Sequence, residues 1–487
     1  MGLTDRQVAR LKVSPDYHFR YKDFFDDIGL SIRVNKVTNS KRWVVQYTLN
    51  KKRKMMMLGK YPTMSLADAR QERDRIKKMA LEGRDPKIVR EMQKAEVVGA
   101  TLETIEHIYN SVTKERIKTH LARIDVTKSE LPELSTYNMY LKEIWKGNQL
   151  TNNGPLLRKL NNELQSFLGV KNIGLIANGC MALQLAIKAL NIKGDVITTP
   201  FSYVATTNSI LWENCNPIFV DIDESTLCIN PELIESRITK DTSAIIATHV
   251  YGNPCDVKAI EKIAKKNKLK VLYDAAHAFH TKIDGKSILN FGDASILSFH
   301  ATKLFHTVEG GAVVCKNKKL LNKINTMKAF GHMGEEKYLM VGINGKMSEL
   351  HAAMGLCNLD NVENCIRNRQ KKSLLYDNLQ ASLIRDGHIR KQIISSSVTN
   401  NYSYYPIIFK TKKSMLSAKK ALELNNIFPR RYFYPSLNKL KFLSRFDECK
   451  ISEDISQKVL SLPLFEDLKE AEIRKIVQII SKSILSS

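Results

Sequence analysis

Hydrophobic and polar positions along the chain fall into two regimes that change over near residue 130. Up to about residue 90 they alternate. Gly29-Leu30-Ser31-Ile32-Arg33-Val34 has a period of two, which predicts a half-buried strand. The polar stretch from Asn35 to Arg42 reads as a turn, and Trp43-Val44-Val45-Gln46-Tyr47-Thr48 as a second strand. A basic turn, Lys51 to Lys54, precedes a third strand from Met55 to Gly59. Together these predict a small antiparallel three-stranded sheet. Tyr61-Pro62-Thr63-Met64-Ser65 then leads into a helix from Leu66 to about Glu82, with Ser65 as N-cap and Gly83 as the stop. Residues 91–125 are polar, partly helical in pattern, and read as a linker.

From about Pro132 short apolar runs alternate with amphipathic helical segments. The runs are Gly174-Leu175-Ile176, Asp195-Val196-Ile197-Thr198, Pro217-Ile218-Phe219-Val220, Ala244-Ile245-Ile246-Ala247, Val271-Leu272-Tyr273 and Ala294-Ser295-Ile296-Leu297. Buried strands separated by helices predict an α/β fold around a largely parallel sheet. Beyond about residue 370 strands become fewer and helices more basic. The predicted organisation is therefore a small α+β domain (1–90), a linker (91–125), a large α/β domain (126–370) and a smaller C-terminal subdomain (371–487).

Charge sharpens the division. The net charge is +26, and residues 1–100 hold 23 Lys/Arg against 12 Asp/Glu. So basic an end suits a polyanion partner, although a solvated lysine-rich surface would look the same. The eight cysteines include no CxxC pair and no Cys/His cluster of zinc spacing, so they read as reduced, mostly buried thiols of a cytoplasmic protein. No signal-peptide core opens the chain, and no run of 18 apolar residues predicts a membrane span.

Four segments carry candidate chemistry. Asp274 ends the strand Val271-Leu272-Tyr273, where ligands of α/β sheets sit; a helix N-cap is the plain alternative. Ser298-Phe299-His300-Ala301-Thr302-Lys303 places a lysine just past the next strand, ahead of Glu309-Gly310-Gly311. Most lysines in so basic a chain are merely solvated, but Asp274 and Lys303 end successive strands and can face one pocket. An amine held there suits bond formation to a carbonyl. Asn178-Gly179-Cys180-Met181 offers free backbone N–H groups to an anion at a helix start. Thr199-Pro200-Phe201-Ser202-Tyr203-Val204-Ala205-Thr206 puts an aromatic, Tyr203, at a further strand end, to face a ligand or to fill the core.

In this order the four segments resemble the PLP-dependent sugar aminotransferases of the DegT/DnrJ type, over roughly residues 125–480. The resemblance extends to Gly342-Ile343-Asn344-Gly345-Lys346-Met347-Ser348-Glu349, Arg430-Arg431-Tyr432-Phe433-Tyr434-Pro435 and Pro463-Leu464-Phe465. It implies the type I aminotransferase fold and pyridoxal 5'-phosphate as cofactor. It also implies roles: Lys303 carries the cofactor and shuttles a proton, and Asp274 pairs with the ring nitrogen. His277 lies near the ring oxygen and Tyr203 stacks on the ring. Gly179, Cys180 and Ser298 hold the phosphate, and Asn344 reaches the phosphate of a neighbouring subunit in a homodimer. Cys180 stands where the family commonly has Thr or Ser. Leu131-Pro132-Glu133-Leu134, Leu150-Thr151-Asn152-Asn153-Gly154-Pro155 and Val250-Tyr251-Gly252-Asn253-Pro254-Cys255-Asp256 are similar to members that aminate the C4 ketone of a dTDP-linked 6-deoxy sugar with glutamate, for surface polysaccharides such as O-antigen.

Residues 1–90 resemble instead the arm-type DNA-binding domain of tyrosine integrases. The resemblance rests on Leu3-Thr4-Asp5, Asp27-Ile28-Gly29-Leu30, Lys41-Arg42-Trp43, Leu58-Gly59-Lys60-Tyr61-Pro62, Ser65-Leu66-Ala67-Asp68-Ala69-Arg70 and Gly83-Arg84-Asp85-Pro86. It implies DNA contact. No integrase catalytic domain follows.

Overall fold

The computed structural model describes residues 2–90 and 123–485, apart from 15, 18, 20, 28, 50, 51, 83, 84 and 88. The chain forms two compact units, Met1–Leu121 and Ala122–Ser487.

The first unit is an antiparallel sheet in the order β1 (Tyr21–Asp27), β2 (Leu30–Asn35), β3 (Lys41–Leu49), β4 (Lys52–Tyr61). It has one strand more than the alternation predicts. In β1, Phe24 and Phe25 are adjacent, three of seven residues are Asp, and Phe25 is 68% exposed. An edge strand of that kind buries too little to show a period of two. The helix Leu66–Leu81 begins as predicted, with Ser65 and Asp68 forming a reciprocal capping box. The predicted stop at Gly83 lies outside the described residues, as does most of the predicted linker. Leu30, Ile32, Trp43, Val45 and Ile76 fill the core, and the Trp43 indole N–H donates to the Met64 carbonyl at 2.9 Å. Arg70 on the helix pairs with buried Asp26 and with the Leu3 carbonyl, tying the chain start to the sheet.

The second unit is built on seven strands: β6 (Ile173–Ile176), β7 (Asp195–Thr198), β8 (Asn216–Phe219), β9 (Thr242–Thr248), β10 (Lys270–Asp274), β13 (Ala294–Ser298) and β14 (Gly311–Cys315). Between β10 and β13 comes a small hairpin, β11 (Lys282–Ile283) and β12 (Lys286–Ser287). The large sheet runs β6-β14-β13-β10-β9-β7-β8, with β14 antiparallel to both neighbours and the remaining pairs parallel. The six predicted strands are all present. Their side chains alternate between two apolar layers: Val271 and Tyr273 face one and Leu272 the other. Helices Gly179–Ala189 and Lys318–Met327 cover one face, and Pro155–Leu168, Val257–Asn267 and Glu349–Leu359 the other. Both layers being covered explains why the strands read as continuous apolar runs.

The C-terminal part packs around β15 (Ile389–Arg390), β17 (Tyr405–Phe409) and β19 (Val459–Leu462). Two predicted boundaries shift. The helix Val362–Arg385 runs unbroken through residue 370, so the large domain and the small subdomain share it. The sequence pattern puts residues 124 and 125 in the linker, yet they form strand β5, which pairs in parallel with β18 (Ile427–Phe428); their ladder belongs to the second unit.

One buried acid organises the helices beside the site. The helix Pro155–Leu168 starts at Gly154, which has no side chain to cap it. Glu349, from the start of another helix and 1% exposed, accepts the N–H groups of Leu156 at 2.8 Å and Leu157 at 3.0 Å. Removing the carboxylate orphans two buried donors. Glu349→Ala is therefore expected to cost about 2–4 kcal/mol in denaturant unfolding, and Glu349→Gln, which keeps one acceptor, markedly less.

Candidate active site

Asp274 ends β10 and Ser298 ends β13, its parallel neighbour, so both reach the carboxyl edge of the sheet. No helix follows Asp274, which excludes the N-cap reading. Its carboxylate is 5% exposed and accepts from the Thr206 hydroxyl at 2.6 Å and the Ala276 N–H at 3.1 Å. No cation among the described residues is close enough to form an ion pair with it. Burial pushes its carboxyl above the ordinary value, against the two hydrogen bonds and the charge of Lys303. A buried carboxylate without a counter-ion is a place for a ligand's positive charge.

Lys303 is set by the turn that follows β13. Its N–H donates to the His300 carbonyl at 2.8 Å, and the His300 ring in turn meets the Thr302 hydroxyl at 2.8 Å. The half-buried lysine side chain reaches Tyr404, whose hydroxyl its Nζ meets at 3.3 Å. Next to this pair lies His277, with ring centroids 4.7 Å from Tyr404 and 5.6 Å from Phe433, stacked on the latter. Burial, and then the Lys303 charge, push the His277 imidazole well below its ordinary value, so it stays neutral. Its Nδ1 accepts the Tyr251 N–H at 3.3 Å, which leaves the proton on Nε2. Asn401 and Ser403 hold the His277 carbonyl at 2.8 and 3.1 Å. The segment carrying Tyr404 thus locks onto the His277 loop.

Gly179 opens the helix Gly179–Ala189 beneath these groups. A Cβ there would lie 3.0 Å from the Ser298 Cβ, so only glycine lets the helix start approach β13 this closely. Gly311 is constrained in the same way, because a Cβ would meet the Gly179 nitrogen at 2.8 Å. Asn178 caps the helix through the Met181 N–H, while the N–H groups of Gly179 and Cys180 find no acceptor among the described residues. The Ser298 hydroxyl is also without a partner there. Two free N–H groups, a free hydroxyl and the positive end of a helix form a cup for a phosphate. Cys180 is the one exposed cysteine of the eight, and all eight are free thiols. Burial, with Asp274 and Glu309 nearby, raises its thiol pKa and keeps it neutral beside an anion.

The structure therefore brings together Lys303, Asp274, His277, Gly179, Cys180 and Ser298. Tyr203 and Asn344 stand apart. Tyr203 is 58% exposed at the start of the helix Val204–Trp212, neither packed in the core nor joined to Asp274, His277 or Lys303 by a hydrogen bond or ring contact. Asn344 is exposed, and its side chain accepts from Lys346 at 2.8 Å. Sequence reasoning missed Thr206, Thr248, Tyr404 and Asn401. Neutral hydroxyls and amides have no charge signature, and Tyr404 and Asn401 lie about a hundred residues beyond Lys303. Thr206 closes the segment Thr199 to Thr206, the one signal that could have pointed to it. The residues fit pyridoxal phosphate: a cup for its phosphate, an unpaired carboxylate for its ring nitrogen and an amine for its aldehyde.

Comparison with known proteins agrees. Residues 134–481 match the DegT/DnrJ/EryC1/StrS aminotransferase family, and residues 3–93 match an arm DNA-binding domain. A dTDP-4-amino-4,6-dideoxy-D-glucose transaminase of Shigella dysenteriae is 43% identical over 362 residues, 73% of this chain and 98% of that protein. An Escherichia coli protein of the same name is 40% identical over 369 residues, with the same coverages. Among solved structures, DesI in the presence of its TDP-sugar product has a TM-score of 0.71 at 27% identity, covering 74% of this chain and 93% of that one. NtdA of Bacillus subtilis, with bound cofactor PMP, has a TM-score of 0.67 at 26% identity, covering 72% and 82%. The chain belongs to the DegT/DnrJ/EryC1/StrS family and is a PLP-dependent sugar aminotransferase.

Proposed function

We propose that the chain moves the amino group of glutamate to C4 of dTDP-4-dehydro-6-deoxy-D-glucose, giving dTDP-4-amino-4,6-dideoxy-D-glucose and 2-oxoglutarate. The observation that carries this is the 43% identity to a transaminase named for that product, sustained over 98% of its length. The bound cofactor supplies an electron sink through which nitrogen passes from an amino acid to a ketone. Lys303 Nζ takes the proton from the glutamate α-carbon and returns one to the sugar carbon. Asp274 would hold the ring nitrogen, and His277, with its proton on Nε2, would donate to the ring oxygen. Gly179, Cys180 and Ser298 would hold the phosphate; Tyr203, exposed at the start of its helix, would serve as the ring's stacking partner, and Asn344 would serve the neighbouring subunit of a homodimer.

A cavity of about 720 Å³ beside Ser202 and Tyr203 suits the nucleotide. Arg123, Arg430 and Arg431 line it together with Tyr432 and Tyr434. Arg431 lies over Tyr434 at 3.4 Å, and Arg430 is exposed with no ion-pair partner among the described residues. A diphosphate supplies the missing charge. No helix among the described residues is long and apolar enough to cross a membrane. We place the enzyme in the cytoplasm, feeding surface-polysaccharide (O-antigen) assembly. With PLP, glutamate and the keto-sugar nucleotide, the protein should release stoichiometric 2-oxoglutarate and amino-sugar nucleotide, read by chromatography and mass. Glutamate turnover without a sugar product would discard this sugar.

For the first unit we propose DNA contact through the open sheet face. Arg33, Arg42 and Lys60 stand directly opposite one another across β2, β3 and β4. Asp23 on β1 already neutralises Arg33 at 2.7 Å, but Arg42 and Lys60 repel each other, and phosphates relieve them. Full-length protein is expected to retard duplex DNA at low salt, with affinity falling steeply as salt rises. Salt-independent or absent retardation would remove this reading.

A further inference from the structure

Asp274 is not held by its own strand alone. Its Oδ2 accepts from Thr206 at 2.6 Å, Thr206 Oγ1 meets Ser202 Oγ at 2.9 Å, and Thr248 Oγ1 donates to Ser202 Oγ at 3.0 Å. Thr206, Ser202 and Thr248 are 1%, 1% and 2% exposed. They come from three places: the first turn of the helix Val204–Trp212, the loop before it, and the end of β9. A hydroxyl has one proton to give. A carboxylate can only accept, so the Thr206 proton goes to Asp274. Thr206 must then accept from Ser202, and Ser202 from Thr248. The protons line up in one direction, Thr248 to Ser202 to Thr206 to Asp274, and each bond polarises the next toward the carboxylate.

We infer that Thr206 is a positioning residue, the last link of a one-way hydroxyl relay that keeps Asp274 ionised and aimed at the ring nitrogen of the cofactor. This rests on the cofactor placement proposed above. Were Asp274 protonated, it would need an acceptor, and Thr206 could serve only by turning its own proton away, toward Ser202, which already accepts from Thr248 and would then have to stop donating to Thr206. The relay therefore favours the charged form, the one a protonated ring nitrogen pairs with. Thr206 acts through Asp274 and needs no contact with substrate.

The test is binding rather than turnover. Equilibrium dialysis would compare PLP with an analogue in which C–H replaces the ring nitrogen, on native protein, Thr206→Val and Thr206→Ser. Thr206→Val is expected to weaken PLP binding on the order of tenfold to a hundredfold, the worth of a hydrogen bond to a charged group, while analogue binding changes little. Thr206→Ser keeps the hydroxyl and should restore PLP binding to near the native value. Equal loss for both cofactors, or a serine variant as weak as the valine one, overturns the relay. If Thr206→Val does not fold, Ser202→Ala decides: a smaller loss confined to PLP supports the relay, and an equal loss for both overturns it. Native protein that binds neither cofactor, or binds both equally, would overturn the pairing of Asp274 with the ring nitrogen as well, whereas native discrimination that Thr206→Val leaves unchanged overturns the relay alone.

Discussion

Lys303→Ala is expected to abolish transamination while leaving the protein folded. Lys303 is the lysine whose charge acts on both Asp274 and His277. It loses two functions at once, bond formation to the cofactor aldehyde and proton transfer. Positioned proton transfer alone is worth roughly 10²–10⁴-fold, so the combined loss should be at least on the order of 10⁴-fold in kcat. The fold should hardly notice. The side chain is half-buried and makes one hydrogen bond, to Tyr404 at 3.3 Å. Melting of the cofactor-free protein should therefore move by no more than about 1 kcal/mol of stability. Lys303→Arg separates the functions from mere charge. A guanidinium keeps the cation but cannot give up its proton, so this variant should be as inactive as the alanine one. Measurable turnover by either variant would unseat Lys303.

Much of this site was legible in the sequence because its key groups sit where strands end. Asp274 and Lys303 follow buried apolar runs, and such runs are the strongest signal a doubly covered sheet emits. The cup at Gly179 was legible for the same reason, a strand stopping at a small residue before an apolar helix. Strand β14 was not. Its Gly311-Ala312-Val313-Val314-Cys315 begins within the Glu309-Gly310-Gly311 segment that follows Lys303, where adjacent glycines break the apolar run. A strand that returns antiparallel to its neighbours needs no helix before it, so the alternation of strand and helix breaks there. The hydroxyls around Asp274 were invisible for another reason. Serine and threonine are common, uncharged and equally at home on a surface, and only three-dimensional placement turns them into one chain.

The same physics separates what the two units could announce. In the first, alternation marked three strands because one face is packed and the other wet. The edge strand β1 escaped because Phe25 turns outward and Asp26 inward, the reverse of a clean pattern. Inward Asp26 is explained only once Arg70, 44 residues away, is seen to meet it. Partners that distant carry no local signature. Two relatives are matched over 98% of their length by 73% of this chain, and the aminotransferase family matches residues 134–481, so the arm domain at residues 3–93 is an addition to the part shared with them. Its basic row and its independent core are properties of its own sequence.

Asp274→Asn is the second large loss expected, and it should carry two signatures of different sign. An amide is isosteric but cannot keep the ring nitrogen protonated, so the electron sink weakens. The cost in kcat should be on the order of 10²–10³-fold, the scale of one preorganised electrostatic contact. PLP should also bind less tightly, because the counter-charge to the ring is gone. Stability of the cofactor-free protein should respond the other way. Burial raises the Asp274 carboxyl above its ordinary value of 3.8. Below that value the residue is protonated in both folded and unfolded chains, and its burial carries no charge penalty. As the pH climbs from the ordinary value through the raised one, the unfolded chain gives up its proton first, and the folded state loses stability. Above that window the penalty is constant. The asparagine variant never ionises and escapes it. Its stability relative to native protein should therefore rise across that window in denaturant unfolding at a series of pH values, then level off. A flat difference would mean that the carboxylate is not strained by its burial. A falling one would mean that the Thr206 and Ala276 bonds outweigh desolvation, and that Asp274 is held as a contented anion before any cofactor arrives.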